Sequence, residues 1–211
     1  LSYASDAGFY KLIPKAVVQP ENEEEIKKIF NFSHTHKIPV TFRAAGTSLS
    51  GQSITDGLLV DLSQHWRGLI IEENGNKVRV QPGVIGATVN AYLKRYKRKI
   101  GPDPSSINSA MMGGILSNNS SGMCCGVSLL HDELLNIRIN ILNNPSLYEK
   151  IRVKYQTKNT VGYGLNSFID FEKPLDILAH LLIGAEGTLG FIAEAVLDTV
   201  PDLPFKATAL L

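Results

Sequence analysis

Between Pro39 and Gly57 a short apolar strand empties into a loop of glycine, serine and threonine, with one arginine at its mouth. The loop reads Arg43-Ala44-Ala45-Gly46-Thr47-Ser48-Leu49-Ser50-Gly51, a set of residues suited to holding a phosphate. Gly46 and Gly51 admit backbone conformations barred to other residues, so successive N–H groups can converge on one anion while Thr47, Ser48 and Ser50 add hydroxyl donors. No Gly-Lys-Ser/Thr ending follows, so the segment is not a Walker loop and ATP chemistry loses its main support. A polar surface loop with Arg43 in an ordinary ion pair is the competing reading, and the apolar strand feeding it favours an ordered, buried loop.

Two further clusters repeat the theme. Gly101-Pro102-Asp103-Pro104 opens a Gly/Ser/Asn-rich stretch that runs through Met112-Gly113-Gly114-Ile115-Leu116-Ser117-Asn118 to Ser121 and Gly126. Gly113 and Gly114 permit close backbone approach, and the asparagines can satisfy ring carbonyls and nitrogens, so this stretch suits lying flat against a heterocycle. Met111, Met112, Ile115 and Leu116 would anchor it in a core instead of leaving it a disordered loop. The third cluster, Gly184-Ala185-Glu186-Gly187-Thr188-Leu189-Gly190, is a tightly wound connection in which Glu186 reads as a structural residue. Three such loops on one scaffold imply an elongated ligand. Gly162-Tyr163-Gly164 is weaker, lacking the third glycine and following helix of a dinucleotide fingerprint.

Other chemistries find less support. Histidines 34, 36, 65, 131 and 180 are scattered without a metal-like spacing, and no Ser/His/Asp order is evident. Cys124 and Cys125 are adjacent, which gives neither a disulfide framework nor a zinc site and fits a reducing, intracellular setting.

The elements that must position these loops follow from pattern. Ala16–Gln19 reads as a strand, and Asn22 with Glu25 three residues on marks the start of a helix ending near Lys37. Pro39–Arg43 is the next strand, then Gly57–Leu62, then Leu69–Gln81 split by a tight hairpin turn at Asn74-Gly75-Asn76. Val84–Lys97 has helical periodicity, Leu134–Leu142 alternates as a strand, Ser146–Tyr155 and Pro174–Leu182 read as helices, and Phe191–Val200 as a strand. The mixture with a central hairpin argues for an α+β arrangement.

With 21 basic and 20 acidic residues, a net charge of +1 advertises no nucleic-acid surface. The basic cluster Lys94, Arg95, Lys97, Arg98 and Lys99 reads as a solvated helix end, where cations suit the dipole. No apolar run approaches the roughly 18 residues of a membrane-spanning helix, so any membrane association is expected to be peripheral.

Several motifs in order, from Ser5-Asp6-Ala7 and Phe9-Tyr10 through PVTFRAAGTSLSG, VQPGV, GPDPSS, MMGGILSNNSSGMCCG and KNTVGYGLN to LLIGAEGTLGFIAE, resemble the FAD-binding domain of the vanillyl-alcohol-oxidase-like FAD-linked oxidases. The branch they resemble most is that of the D-lactate dehydrogenase and glycolate oxidase flavoproteins. The resemblance implies a PCMH-type α+β fold of two subdomains, about 1–62 and 63–200, with FAD between them and 201–211 leading into a cap domain. It implies that residues 44–51 bind the pyrophosphate, with Arg43 beside them. It further implies that Pro102, Asp103, Ser106, Met112, Gly113, Gly114, Ser117, Asn118 and Ser121 line the flavin and ribityl chain, and that Gly187, Gly190 and Ile192 close around the dinucleotide. Thr47 stands where covalent members carry histidine, so the FAD is expected to be non-covalent. The junction Asn143-Asn144-Pro145 is shorter than the family's usual excursion there.

The implied activity is oxidation of a D-2-hydroxy acid such as D-lactate or glycolate by hydride transfer to flavin N5. Electrons would pass on to a quinone, cytochrome, iron–sulfur domain or electron-transfer flavoprotein, in the cytoplasm or at the periphery of the inner membrane. Cap-domain residues of the active site, including any metal ligands, fall outside what this sequence assigns. The alternatives are the same fold acting on another substrate, as in sugar-lactone oxidases or UDP-N-acetylenolpyruvoylglucosamine reductase, or a non-catalytic nucleotide-binding module.

Overall fold

A computed structural model of the chain describes residues 1–118, 131–157 and 162–204. Its first layer is a three-stranded parallel sheet of order β1-β3-β2, built from β1 (Ala16–Val18), β2 (Val40–Arg43) and β3 (Leu58–Asp61). Helix α1 (Glu23–His36) joins β1 to β2. Its start follows from the expected cap: the Asn22 side chain accepts from the Glu25 N–H at 3.1 Å, and Glu25 in turn accepts from the Glu21 N–H at 2.8 Å. Lys37, with φ of 54°, turns the chain out of the helix. Central β3 is buried along its whole length, as a strand flanked on both edges should be. Because β2 and β3 run parallel, residues 44–57 must cross back from the end of one to the start of the other. That crossing carries the first glycine-rich loop.

The second layer is an antiparallel sheet of order β4-β5-β7-β6, formed by β4 (Leu69–Glu72), β5 (Lys77–Val80), β6 (Arg98–Ile100) and β7 (Ala195–Pro201). Alternate residues Ala195, Leu197 and Thr199 of β7 face inward, onto a core that includes Val78, Val80, Val89, Leu93 and Ile100. Helices α2 (Gly86–Leu93) and α3 (Met112–Ser117) pack on this core, joined by α4 (His131–Leu142), α5 (Pro145–Lys154), α6 (Ser167–Asp170) and α7 (Pro174–Leu182).

Several elements differ from expectation. Leu134–Leu142 is helical, not a strand. Leu135, Ile137, Ile139 and Ile141 mimic alternation, yet Ile137 and Ile139 are exposed while Leu134 and Ile141, seven residues apart, are buried; helical spacing places that pair on one face. The helix of Val84–Lys97 ends sooner, at Leu93, with one 3-10 turn over Lys94–Tyr96. Lys97 then adopts φ of 56°, and Arg98 and Lys99 belong to β6 instead of a helix end. Arg98 donates to the backbone carbonyl of Thr199 at 2.6 Å across the β6–β7 pair. The hairpin turn is longer than a two-residue turn, since Glu72 pairs with Lys77 and leaves Glu73–Asn76 as its loop. Phe191–Ala193 precede β7 and form no strand; Phe191 instead stacks on Phe42 at 5.0 Å and meets Trp66 edge-on at 5.1 Å, tying the two layers together.

Candidate functional site

All three glycine-rich clusters open onto one cavity of about 350 Å³. Ala44 through Ser50 form one wall, Ser106, Gly113, Gly114, Ser117 and Asn118 a second, and Gly187, Gly190 and Ile192 a third. The sequence reading therefore has its most separated members, Thr47, Gly114 and Gly190, around the same space.

The first wall is shaped by positive backbone angles, 68° at Gly46 and 79° at Gly51, a region that favours glycine. Its position is fixed from beneath. The Arg43 guanidinium lies against Gly46, so close that a β-carbon there would stand 2.5 Å from Nη2. Arg43 also donates to the Ser5 carbonyl at 2.9 Å and stacks over Tyr3, while the Ala7 N–H donates to the Gly46 carbonyl at 3.1 Å. Arg43 forms no ion pair within 4 Å among the described residues, although Asp61 stands opposite it in the β2–β3 register. The Ser48 hydroxyl is taken up inside the loop by Gln52.

Below the loop, buried Asp61 anchors the end of β3. Its carboxylate accepts from Tyr3 Oη at 2.9 Å, Gln19 Nε2 at 2.8 Å and the Ser63 N–H at 2.9 Å. Burial pushes the Asp61 carboxyl up, but the hydrogen bonds from Gln19, Ser63 and Tyr3 together outweigh it and hold the group below the usual carboxylate range. The same contact, first among its causes, raises the Tyr3 phenol.

The second wall is more regular than a loop. Met112–Ser117 winds into α3, with Met112, Ile115 and Leu116 buried as anchors, while Met111 lines the cavity. Gly113 is pressed on Pro82, where a β-carbon would come within 2.7 Å. Gly114 is the opposite case. A β-carbon there would meet nothing within 4 Å, and the same holds at Gly187; both residues belong to the cavity lining.

The remaining predicted residues lie elsewhere. Arg43 and Gly51 lie outside the lining, Gly51 at a turn where an added β-carbon would meet the Tyr10 ring at 3.4 Å. Pro102 is buried outside the cavity lining, exposed Asp103 pairs with Lys99 at 3.5 Å, and Met112 is fully buried in the core. Ser121, with Cys124 and Cys125, lies outside the described residues. Phe191, inside the Gly187–Ile192 segment that the resemblance implies, lines the space as well, whereas sequence reasoning passes over Gln52, Pro82 and Ala110, of which only Pro82 stands in a quoted motif, VQPGV. Glu186 lines it too, as the one charged residue among the described lining, and burial raises its carboxyl above the usual range. Among the described residues no cluster of three or more His, Cys, Asp or Glu could hold a metal ion, and no helix is long and apolar enough to cross a membrane.

A family model described as an FAD binding domain matches residues 14–140, more than half of the chain. The chain belongs to that family. Its cofactor is accordingly FAD, and the cavity fits one. Hydroxyl-bearing Thr47, Ser50, Ser106 and Ser117 are among its lining residues, and Gly114 and Gly187 present bare backbone on the same lining. Among relatives, the glycolate oxidase subunit GlcD of Bacillus subtilis (strain 168) is 30% identical over 214 residues, covering 100% of this chain and 42% of its own length. D-2-hydroxyglutarate dehydrogenase of Pantoea ananatis (strain AJ13355) is 28% identical, covering 95% of this chain and 24% of its own. The chain thus spans less than half the length of these relatives. The fold is also that of a solved alkyldihydroxyacetonephosphate synthase, at a TM-score of 0.56 and 18% identity over 88% of this chain and 34% of that one.

Proposed function

We propose that this chain is the flavin-holding part of an oxidoreductase that oxidises a D-2-hydroxy acid, with FAD held non-covalently. The observation that carries the reading is the convergence of three distant glycine-rich segments on one cavity. When bound, FAD supplies the two-electron acceptor for such an oxidation. The chain's own residues bind and orient it. The 44–50 wall would hold the diphosphate through backbone N–H groups, with the charge of Arg43 behind Gly46 favouring an anion in front. Ser106, Gly113, Gly114, Ser117 and Asn118 would flank the flavin end, and Gly187, Gly190 and Ile192 would close the remaining side. Thr47 offers no imidazole for a bond to the flavin.

The hydroxy-acid class is supported by similarity to the glycolate oxidase subunit and D-2-hydroxyglutarate dehydrogenase sequences, and a further partner would accept the electrons. Two experiments test this. Denaturing the FAD-loaded chain in acid should release all of its flavin into the supernatant; flavin retained on the precipitated chain would refute non-covalent binding. Assays of the longer protein with D-lactate, glycolate and D-2-hydroxyglutarate and an artificial acceptor should show turnover of one of them, and activity confined to a sugar lactone would overturn the substrate class.

A further inference from the structure

The third wall of the cavity is a strained turn. The Thr188 N–H donates to the Ala185 carbonyl at 2.9 Å, closing a four-residue turn whose central residues, Glu186 and Gly187, have φ of 52° and 75°. Two successive positive angles mark a type I′ geometry, which favours Asn-Gly or Gly-Gly. Glutamate has no local hydrogen bond to offer the left-handed region, so the turn persists only if its surroundings impose it.

The surroundings do so from two sides. The Gly184 and Glu186 N–H groups donate to the Leu116 and Ser117 carbonyls at 3.3 and 3.0 Å, tying the turn to the end of α3. On the other side runs a chain of hydroxyls. Thr188 Oγ1 donates its only proton to the Ala185 carbonyl at 2.6 Å, so in its 3.0 Å contact with Tyr163 Oη it must accept. Tyr163 is therefore the donor. Tyr163 is itself held from the C-cap of α5, because Tyr155 Oη donates to the Tyr163 carbonyl at 2.6 Å and accepts from the Leu165 N–H at 3.2 Å.

We propose that Tyr163 is a positioning residue for FAD: its hydroxyl, acting through Thr188, holds the Ala185–Thr188 turn in the left-handed form that sets Glu186 and the bare backbone of Gly187 at the cavity wall. The proposal rests on the reading of this cavity as the FAD site. It gives the Gly162-Tyr163-Gly164 segment a purpose other than direct phosphate binding.

The test is an FAD titration of the 211-residue chain, followed by flavin fluorescence, with thermal melts of each FAD-free protein alongside. Tyr163→Phe should weaken FAD binding about three- to tenfold, the scale of one net hydrogen bond. Thr188→Val should weaken it at least as much, and Thr188→Ser should restore wild-type affinity. In the Thr188→Val background the Tyr163→Phe change should have no further effect, because the acceptor hydroxyl is gone. Unchanged affinity in Tyr163→Phe, or losses that simply add in the double variant, would overturn the proposal. So would an FAD-free melting point that falls while affinity holds, which would mark Tyr163 as structural only. A wild-type chain that takes up no FAD would remove the site reading itself, a different failure from a wild type that binds and a Tyr163→Phe variant that binds equally well.

Discussion

Gly114 and Gly57 separate the two reasons for which this chain uses glycine. At Gly57 a β-carbon would fall 2.2 Å from the Pro39 carbonyl oxygen, a backbone collision that only a shift of β2 against β3 could relieve. Gly57→Ala should therefore lower stability by about 1–3 kcal/mol, the range of an overpacked site, as read by urea denaturation. At Gly114, a residue of the cavity lining, the added carbon meets nothing within 4 Å. Gly114→Leu should leave the FAD-free protein at least as stable, since leucine exceeds glycine in helix propensity by about 0.5–1 kcal/mol, while FAD affinity falls more than about tenfold. Unimpaired binding by Gly114→Leu would show that this wall does not touch the cofactor. Asp61 supplies a pH dependence. Its folded-state pKa is depressed, so its contribution to stability is present above the unfolded carboxylate value of about 3.9 and is lost as pH falls through the folded value. Denaturation midpoints should drop on acidification below about pH 4, and Asp61→Asn should flatten that part of the profile while costing about 1–3 kcal/mol at neutral pH.

At the scale of elements, Phe191 is the joint. It packs on Phe42 of β2 and on Trp66, just beyond the first sheet, while the next residue, Ile192, lines the cavity and β7 of the other sheet begins at Ala195. Phe191→Ala should cost about 2–4 kcal/mol in denaturant unfolding, somewhat below a fully buried phenylalanine, and should weaken FAD in parallel. This scale is also where the sequence was most and least legible. Helix α1 could be read to its caps because Asn22, Glu25 and the turn at Lys37 are local signals. The turns of the loop after β2 could be read because Gly46 and Gly51 stand where positive φ is required. Helix α4 could not, because exposed Ile137 and Ile139 imitate a strand, and burial of Leu134 with Ile141 is decided by packing. Nor could β6, whose three residues Arg98–Ile100 carry no alternation and depend on β7, about a hundred positions away in the chain. Helix α3 is hidden by Gly113 and Gly114, poor helix formers, of which Gly113 has no room for a side chain against Pro82 while Gly114 faces open space on the cavity lining. Glu186 reads as structural from the sequence because composition alone does not reveal which face of a turn a cavity occupies.

Over the whole molecule, a parallel layer and an antiparallel layer stand around one slot lined by segments far apart in the chain. A ligand bound only by the folded state must stabilise it by mass action, so FAD at about a hundred times its dissociation constant should add about 2.7 kcal/mol to unfolding. The thermal midpoint should rise with FAD concentration, and the Phe191→Ala variant should need more FAD for the same rise. The most direct measurement is a visible-absorption titration of the flavin-free 211-residue chain with FAD. Saturable uptake of one FAD per chain, with a perturbed flavin spectrum and a yellow protein after gel filtration, is the expected result; a colourless protein with FAD wholly in the small-molecule fractions would contradict it.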